Sequence, residues 1–284
     1  KYEYILQIFQ GVVYGFQRDI RKSEISWIEL DKIKRNFRKA EIKDIPAIFD
    51  LLNSVNLTSR MASGDGPRPI MTCPVSGLDE GEIYDVQKLL KEVDSYFDKN
   101  DDRFCNFPRK YKIGISGCEC HCAAHEIQDV AFTAFKTEDN EVLFDLTIGG
   151  GLSKSKQIAT RANKYVKPEQ VLDVAVACAE IFRDNGNRDN RNKARVRHLL
   201  NDWGIEKFVE EIEKAIGYKL QDGLEAPVVA SFENRNHFGI NRQKQSGLSY
   251  VGFATNSGRV AGEDFVRFYE ICKKYGAGGV ALTA

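Results

Sequence analysis

The end of this chain repeats the pattern of its beginning, and that repetition restricts the fold more than any other feature. Residues 4–14 (YILQIFQGVVY) are apolar and β-prone, and residues 44–54 place Ile45, Ile48, Phe49, Leu51 and Leu52 at helical spacing. Near the other end, Leu248 to Ala254 is a second β-prone run, and residues 262–275 form a second amphipathic helix that stops before Gly276. Gly279 to Ala284 read as a strand just begun. A unit that opens twice implies an internal duplication, with the second copy cut short at residue 284. Residues 18–43, dense in Lys, Arg and Glu, yield no assignment.

Between the two copies lies a larger unit. The expected division is a first small domain at 1–70, a larger domain at 71–218, a linker at 219–227 (KLQDGLEAP) and the start of a second small domain at 228–284. Residues 82–98 carry Ile83, Val86, Leu89, Leu90, Val93 and Phe97 at helical spacing, and 111–117, 127–135 and 142–148 read as strands. A helix opens at Pro168 and runs through Val171, Val174, Ala175, Ala179 and Phe182, with Gly186 suited to its C-terminal cap. Two further helices are expected at 190–202 and 205–216, parted by Gly204. Strands and helices mix without strict alternation, so the class is α+β rather than a doubly wound sheet.

Lys plus Arg and Asp plus Glu are equal at 41 each, so no global field favours nucleic acid and any basic site must be local. No apolar run reaches the roughly 20 residues that span a bilayer. The opening residues lack the pattern of a secretory signal, so a cytoplasmic protein is expected; without an initial Met, its true start is expected upstream. The seven cysteines are an odd set in a chain large enough to fold without staples, which argues against a disulfide scaffold. Cys178 and Cys272 fall in helical stretches and read as core thiols.

Several segments together carry a family resemblance. They are Gly64-Asp65-Gly66-Pro67-Arg68 with Thr72-Cys73-Pro74-Val75-Ser76-Gly77, Phe107-Pro108-Arg109-Lys110-Tyr111-Lys112, and Phe144 through Gly149-Gly150-Gly151 to Ser153. Phe182 to Arg188 and Gln243 to Gly252 complete the set. Their order over residues 60–284 resembles the sirohaem-dependent nitrite and sulfite reductases, here the amino-terminal portion. Pro69-Ile70 stands where the family usually has Asn-Val, and Lys34 to Lys39 departs from its Thr-Thr-Arg-Gln-like strand end. The resemblance implies a duplicated architecture, in which small ferredoxin-like half-domains alternate with larger mixed α/β haemoprotein domains, the second large domain being absent. It also implies six-electron reduction of nitrite to ammonia or of sulfite to sulfide, at sirohaem coupled to a 4Fe–4S cluster. Ferredoxin or a similar carrier would supply the electrons, and no nucleic acid or membrane would be a partner. The cluster's main ligands, Cys-x5-Cys and Cys-x3-Cys in the family's second half, are expected outside this chain, and residues 1–284 alone are expected to be inactive.

Sirohaem carries eight carboxylates and the substrate is an anion, so the site needs concentrated Arg and Lys. The densest supply is Arg188, Arg191, Lys193, Arg195 and Arg197. On one helix, 188, 191 and 195 would share a face, and 193 and 197 an adjacent one. From the residues alone this is either a solvated basic face or an anion site; the resemblance favours the anion site. It implies substrate contacts from Arg68, Arg109, Arg195 and Arg197. Cofactor contacts are implied for Arg68, Arg109, Lys110, Lys112, Gly149, Gly150, Gly151, Asn187, Arg188, Arg191 and Lys193. The triple glycine either lets backbone approach a cofactor or is a plain turn after a strand.

Cys118 and Cys122 have the Cys-x3-Cys spacing, yet lie in the first half. Cys73 occupies the other equivalent region, but Asp79 stands where its partner cysteine belongs, and Cys120 is an awkward fourth thiolate. Three readings stay open: an echo of the duplicated cluster loop, a zinc site of Cys118, Cys120 or Cys122 with His121 or His125, and a part in an iron–sulfur cluster. The alternative to a reductase is a non-catalytic sirohaem- or zinc-binding fragment.

Overall fold

The computed structural model describes residues 42–54, 61, 64–119, 122–152, 155–223, 225, 237–254 and 262–275. The expected strands at 4–14 and 279–284, together with Cys120 and His121, lie outside the described residues. The chain divides into two compact units, 1–63 with 253–284, and 64–252.

In the smaller unit, a 3-10 turn at Ile42–Asp44 leads into α1 (Ile45–Ser54). Ile48 and Leu52, four residues apart, form its buried side, whereas Phe49, expected in the same stripe, faces outward.

In the larger unit, Glu82 staples the turn before the next helix. Its carboxylate accepts from the Ser76 hydroxyl and, at 2.7 Å, from the Gly77 N–H. This holds residues 77–86 out of helix, so α2 spans Gln87–Lys99 rather than beginning at 82. It buries Leu89, Leu90, Val93 and Phe97 along one side. A single turn, α3 (Asp101–Phe104), follows. Phe97, Phe104, Phe107, Tyr111 and Phe182 then interlock, mostly edge to face, with centroids 4.8–6.0 Å apart.

A mixed sheet is the centre of this unit. Its strands are β1 (Ile113–Ser116), β2 (Val130–Lys136), β3 (Val142–Ile148), β4 (Thr160–Val166) and β5 (Gln221–Asp222), adjacent in that order. β1 runs parallel to β2, and the other neighbours are antiparallel. β1, β2 and β3 are buried almost throughout, which is why they read as continuous apolar runs. β4 is polar and half-exposed, so it carries no apolar run or alternation to mark it as a strand. Its register slips between Asp145 and Thr147, close to Asn163 with φ +52°, and Arg161 grips Asp145 from the same strand. β5 lies within the segment expected as a linker, tied to β4 through Lys164 and Asp222.

Helices cover the sheet. A 3-10 turn at Pro168–Gln170 opens α4 (Val171–Asn185), whose inner side includes Val171, Val174, Ala175, Cys178, Ala179 and Phe182. Cys178 is a fully buried core thiol, as expected, and burial pushes it far above the usual range. α5 (Val196–Trp203) and α6 (Ile205–Ile216) follow, broken at Gly204 with φ +80°. A hairpin, β6 (Gly239–Arg242) and β7 (Ser249–Gly252), docks on the 75–82 turn. The Lys244 N–H reaches Leu78 O at 2.7 Å, and the Lys244 ammonium reaches Glu82 at 2.8 Å. These contacts join the hairpin to the larger unit, so the boundary falls at 252/253 rather than at 228. The smaller unit resumes with α7 (Gly262–Tyr275), where Phe268 packs on Phe253 with ring centroids 5.0 Å apart. Cys272 on α7 is only partly buried.

Candidate functional site

The basic residues converge because residues 65–71 run alongside the chain entering β1. The Arg68 N–H reaches Tyr111 O at 2.8 Å, the Tyr111 N–H reaches Gly66 O at 3.0 Å, and the Met71 N–H reaches Ile113 O at 3.0 Å. Arg68 is thereby set beside Lys110 and Lys112. Asp129, just before β2, is the anchor. Its side chain is wholly buried; it accepts the Lys112 N–H at 2.9 Å and a forked pair from Arg195 at 2.7–3.1 Å. Asp65 plays the same part nearer the surface, accepting from Arg109 at 3.3 Å and from Arg191 at 2.8 and 3.1 Å.

Among the described residues, this group sets Arg68, Arg109, Lys110, Lys112, Arg191, Arg195 and Arg197 against the carboxylates of Asp65 and Asp129. The surplus of like charge, partly out of water, is visible in the titrating groups. Burial pulls Lys112 down to about 8, with Arg195, Lys110 and Arg197 adding to the effect against Asp129. Burial also lowers Lys110, Arg68 and Arg197, reinforced by neighbouring cations. Asp65 is held below the usual carboxylate range, chiefly by its bond from Arg191. Burial raises Asp129 despite Arg195.

Arg197 is the most telling member. Only 4% exposed, it donates one N–H to Leu152 O at 3.4 Å, while its Nε and Nη1 are buried with no partner among the described residues. The triple glycine serves this side chain. A Cβ on Gly151 would lie 2.2 Å from Arg197 Nη1, and one on Gly149, where φ is +85°, would lie 2.5 Å from Leu200. A Cβ on Gly150 would strike the backbone at Glu126. Added side chains at 149–151 would thus meet Leu200, Glu126 and Arg197, so the segment is tightly packed rather than an open turn.

The single basic helix expected at 190–202 is not formed. Asn187 accepts the Asn190 N–H, Asn190 accepts the Asn192 N–H, and residues 191–193 make a 3-10 turn. Arg195 then takes extended backbone before α5. Positions 188, 191 and 195 thus share no helical face. Arg188 folds onto Asn106 and the Arg183 carbonyl. With Asn187 it lines a separate cleft of about 380 Å³ that also includes Leu199 and Trp203. Lys193 is exposed and lies near His198.

A second cluster forms where the thiols meet. Cys73 Sγ and Cys122 Sγ lie 3.3 and 3.1 Å from Nε2 of His237, and the three atoms all fall within 4.8 Å of one another. Cys118 sits against Cys122 and pulls its thiol down, but Cys73 and burial outweigh it and the thiol is raised. The imidazole comes from His237, not from His125, which faces Glu126 at 3.3 Å. No short spacing could have revealed this, since His237 is 164 residues from Cys73.

The fold and site define a mixed α+β protein with a cluster of partly buried cations held in place by Asp65 and Asp129. A family model described as the nitrite and sulphite reductase 4Fe-4S domain matches residues 63–220. The chain belongs to the nitrite and sulphite reductase family. It is 34% identical to a ferredoxin–nitrite reductase of Synechococcus elongatus, over 85% of this chain and 48% of that protein. It is also 34% identical to a ferredoxin sulfite reductase of Mycolicibacterium paratuberculosis, over 89% of this chain and 45% of that protein. The solved structure of the Mycobacterium tuberculosis NirA protein superposes with a TM-score of 0.78 at 32% identity, covering 88% of this chain and 48% of that one. The chain spans about half the length of the curated relatives it matches. Among the described residues no helix is long and apolar enough to cross a membrane.

Proposed function

We propose that this chain supplies the anion-binding wall of a sirohaem nitrite or sulfite reductase, fed by a ferredoxin-type donor in the cytoplasm. The observation that carries the reading is the buried surplus of cations around Asp129, with two N–H groups of Arg197 left without a partner among the described residues. Such a surplus is costly unless an anion compensates it, and a tetrapyrrole bearing many carboxylates does so. The residues therefore fit sirohaem, with Arg68, Arg109, Lys110, Lys112, Arg195 and Arg197 as its holders or as donors to the substrate oxyanion. Sirohaem, when bound, supplies the iron that ligates the oxyanion and delivers electrons to it.

The chain's own residues divide the remaining work. Asp129 fixes the Arg195 fork, so its donors need no reorganisation when an oxyanion arrives. Lys112, drawn down to about 8 while no anion is bound, takes up its proton fully when a polyanion arrives and so adds a compact point charge to the planar guanidinium donors. A 4Fe–4S cubane needs four ligands, one on each iron. Cys73, Cys122 and His237 instead converge toward a single point and do not fit one.

Producing the chain with a sirohaem supply and recording its visible spectrum tests the proposal. Sirohaem bands that persist through gel filtration are expected. A protein that emerges colourless from a host accumulating free sirohaem would count against it.

A further inference from the structure

We propose that Cys73, Cys122 and His237 hold a single zinc-class divalent ion, with Cys118, which lies against Cys122, moving in as fourth donor. This site is separate from the cationic wall and does not depend on the sirohaem reading. Three stretches remote in sequence bring soft donors to one point: the turn at Cys73, the loop at 118–122 and the segment entering β6. A tetrahedral zinc with Zn–S near 2.3 Å and Zn–N near 2.0–2.1 Å sets its ligand atoms roughly 3.4–3.8 Å apart. The observed sulfur–nitrogen separations of 3.1 and 3.3 Å need only a slight expansion to admit an ion.

The imidazole is already oriented as a ligand. Its Nε2 faces both sulfurs, while Nδ1 lies 2.9 Å from the Tyr250 hydroxyl and 3.5 Å from the Asp79 carboxylate. Tyr250 in turn donates to Asp79. A proton held on Nδ1 by these oxygens leaves the Nε2 lone pair aimed at the thiols, the carboxylate–imidazole arrangement that supports metal-bound histidines. Asp79 stands where a second cysteine would complete a Cys-x5-Cys pair, and there its carboxylate supports His237 and Tyr250. Cys73, Val75 and Tyr250, with Leu78 and Cys122, pack into one apolar cluster around the donors. On binding, the ion forms three metal–sulfur bonds and one metal–nitrogen bond, and the three thiol protons pass to solvent. The ion clamps the β6–β7 hairpin to the rest of the larger unit.

The test is to strip the full chain with chelator, titrate it with Co²⁺ and then compete with Zn²⁺. One cobalt per chain is expected, with thiolate charge-transfer absorption, the visible bands of a tetrahedral site and displacement by one zinc. His237→Ala should weaken zinc binding at least about a hundredfold, and Tyr250→Phe about 10–100-fold. Variants that misfold are bypassed by alkylating the unaltered chain. Zinc should slow modification of Cys73 and Cys122 at least tenfold, while exposed Cys105 reacts at an unchanged rate. A Cys73–Cys122 disulfide, a brown cluster with iron and sulfide, absence of charge-transfer absorption, or equal alkylation with and without zinc would each overturn the proposal.

Discussion

Lys112 and Asp129 show how single residues set the character of the wall. Burial and neighbouring cations take Lys112 from its ordinary 10.5 down to about 8. Between those values the unfolded chain holds a proton that the folded chain has lost, so stability of the anion-free protein rises with pH across that window. Below about 8 the folded protein bears the full penalty of the buried ammonium. Urea denaturation at intervals from pH 7 to 10.5 should show this rise, and Lys112→Met should remove it. A bound polyanion reverses the shift, so its affinity should fall as pH climbs through about 8, by no more than roughly tenfold per unit for one proton. Asp129→Asn keeps the shape but strands Arg195, whose side chain is 11% exposed. A loss of about 3–5 kcal/mol in unfolding free energy is expected; a loss below about 1 kcal/mol would mean that Asp129 does not anchor the fork. Arg195 and Arg197 stood out in the sequence because they lie in a dense basic run. Asp65 and Asp129 did not, because a lone acid has no periodicity or spacing to mark it as a counter-charge.

At the scale of elements, legibility followed burial pattern. β1, β2 and β3 could be read from continuous apolar runs, and α2, α4 and α6 from their spacing, whereas β4 and β5 are polar and owe their place to Arg161–Asp145 and Lys164–Asp222. The 188–197 run misled for a related reason: basic residues suit a helix, but Asn187 and Asn190 bond their own following N–H groups and break it. The β6–β7 hairpin shows a third case, in which a contact between distant segments decides. Glu82, its side chain 3% exposed, takes the Ser76 hydroxyl, the Gly77 N–H and Lys244. Glu82→Ala should free the hairpin and cost about 3–5 kcal/mol, seen as faster hydrogen exchange at the amides of 239–252 than at those of β2 and β3. Unchanged exchange in the hairpin would show that Glu82 does not hold it.

For the molecule as a whole, an equal count of acids and bases conceals a strongly cationic site. The surplus around Asp129 is balanced by acids elsewhere, and composition could exclude a global field but not find a local one. The α+β class and the family were legible because ordered segments across residues 60–284 resemble one known pattern. The packing of each segment was not, since the crowding of the glycines at 149–151 against Arg197, Leu200 and Glu126 arises only when distant segments meet. Because the wall acts through charge, anion affinity should drop steeply with added salt, whereas zinc affinity at the thiol cluster should change little between low and moderate ionic strength. Whether this cationic wall holds sirohaem is tested most directly by an equilibrium titration of sirohaem into the purified chain, alongside Arg68→Gln, Arg195→Gln and Arg197→Gln. Saturation at one sirohaem per chain is expected, weakened about 10–100-fold by each substitution, as the loss of charge-assisted hydrogen bonds requires. Equal affinity in all four proteins, or no saturable binding to the unaltered chain, would contradict it.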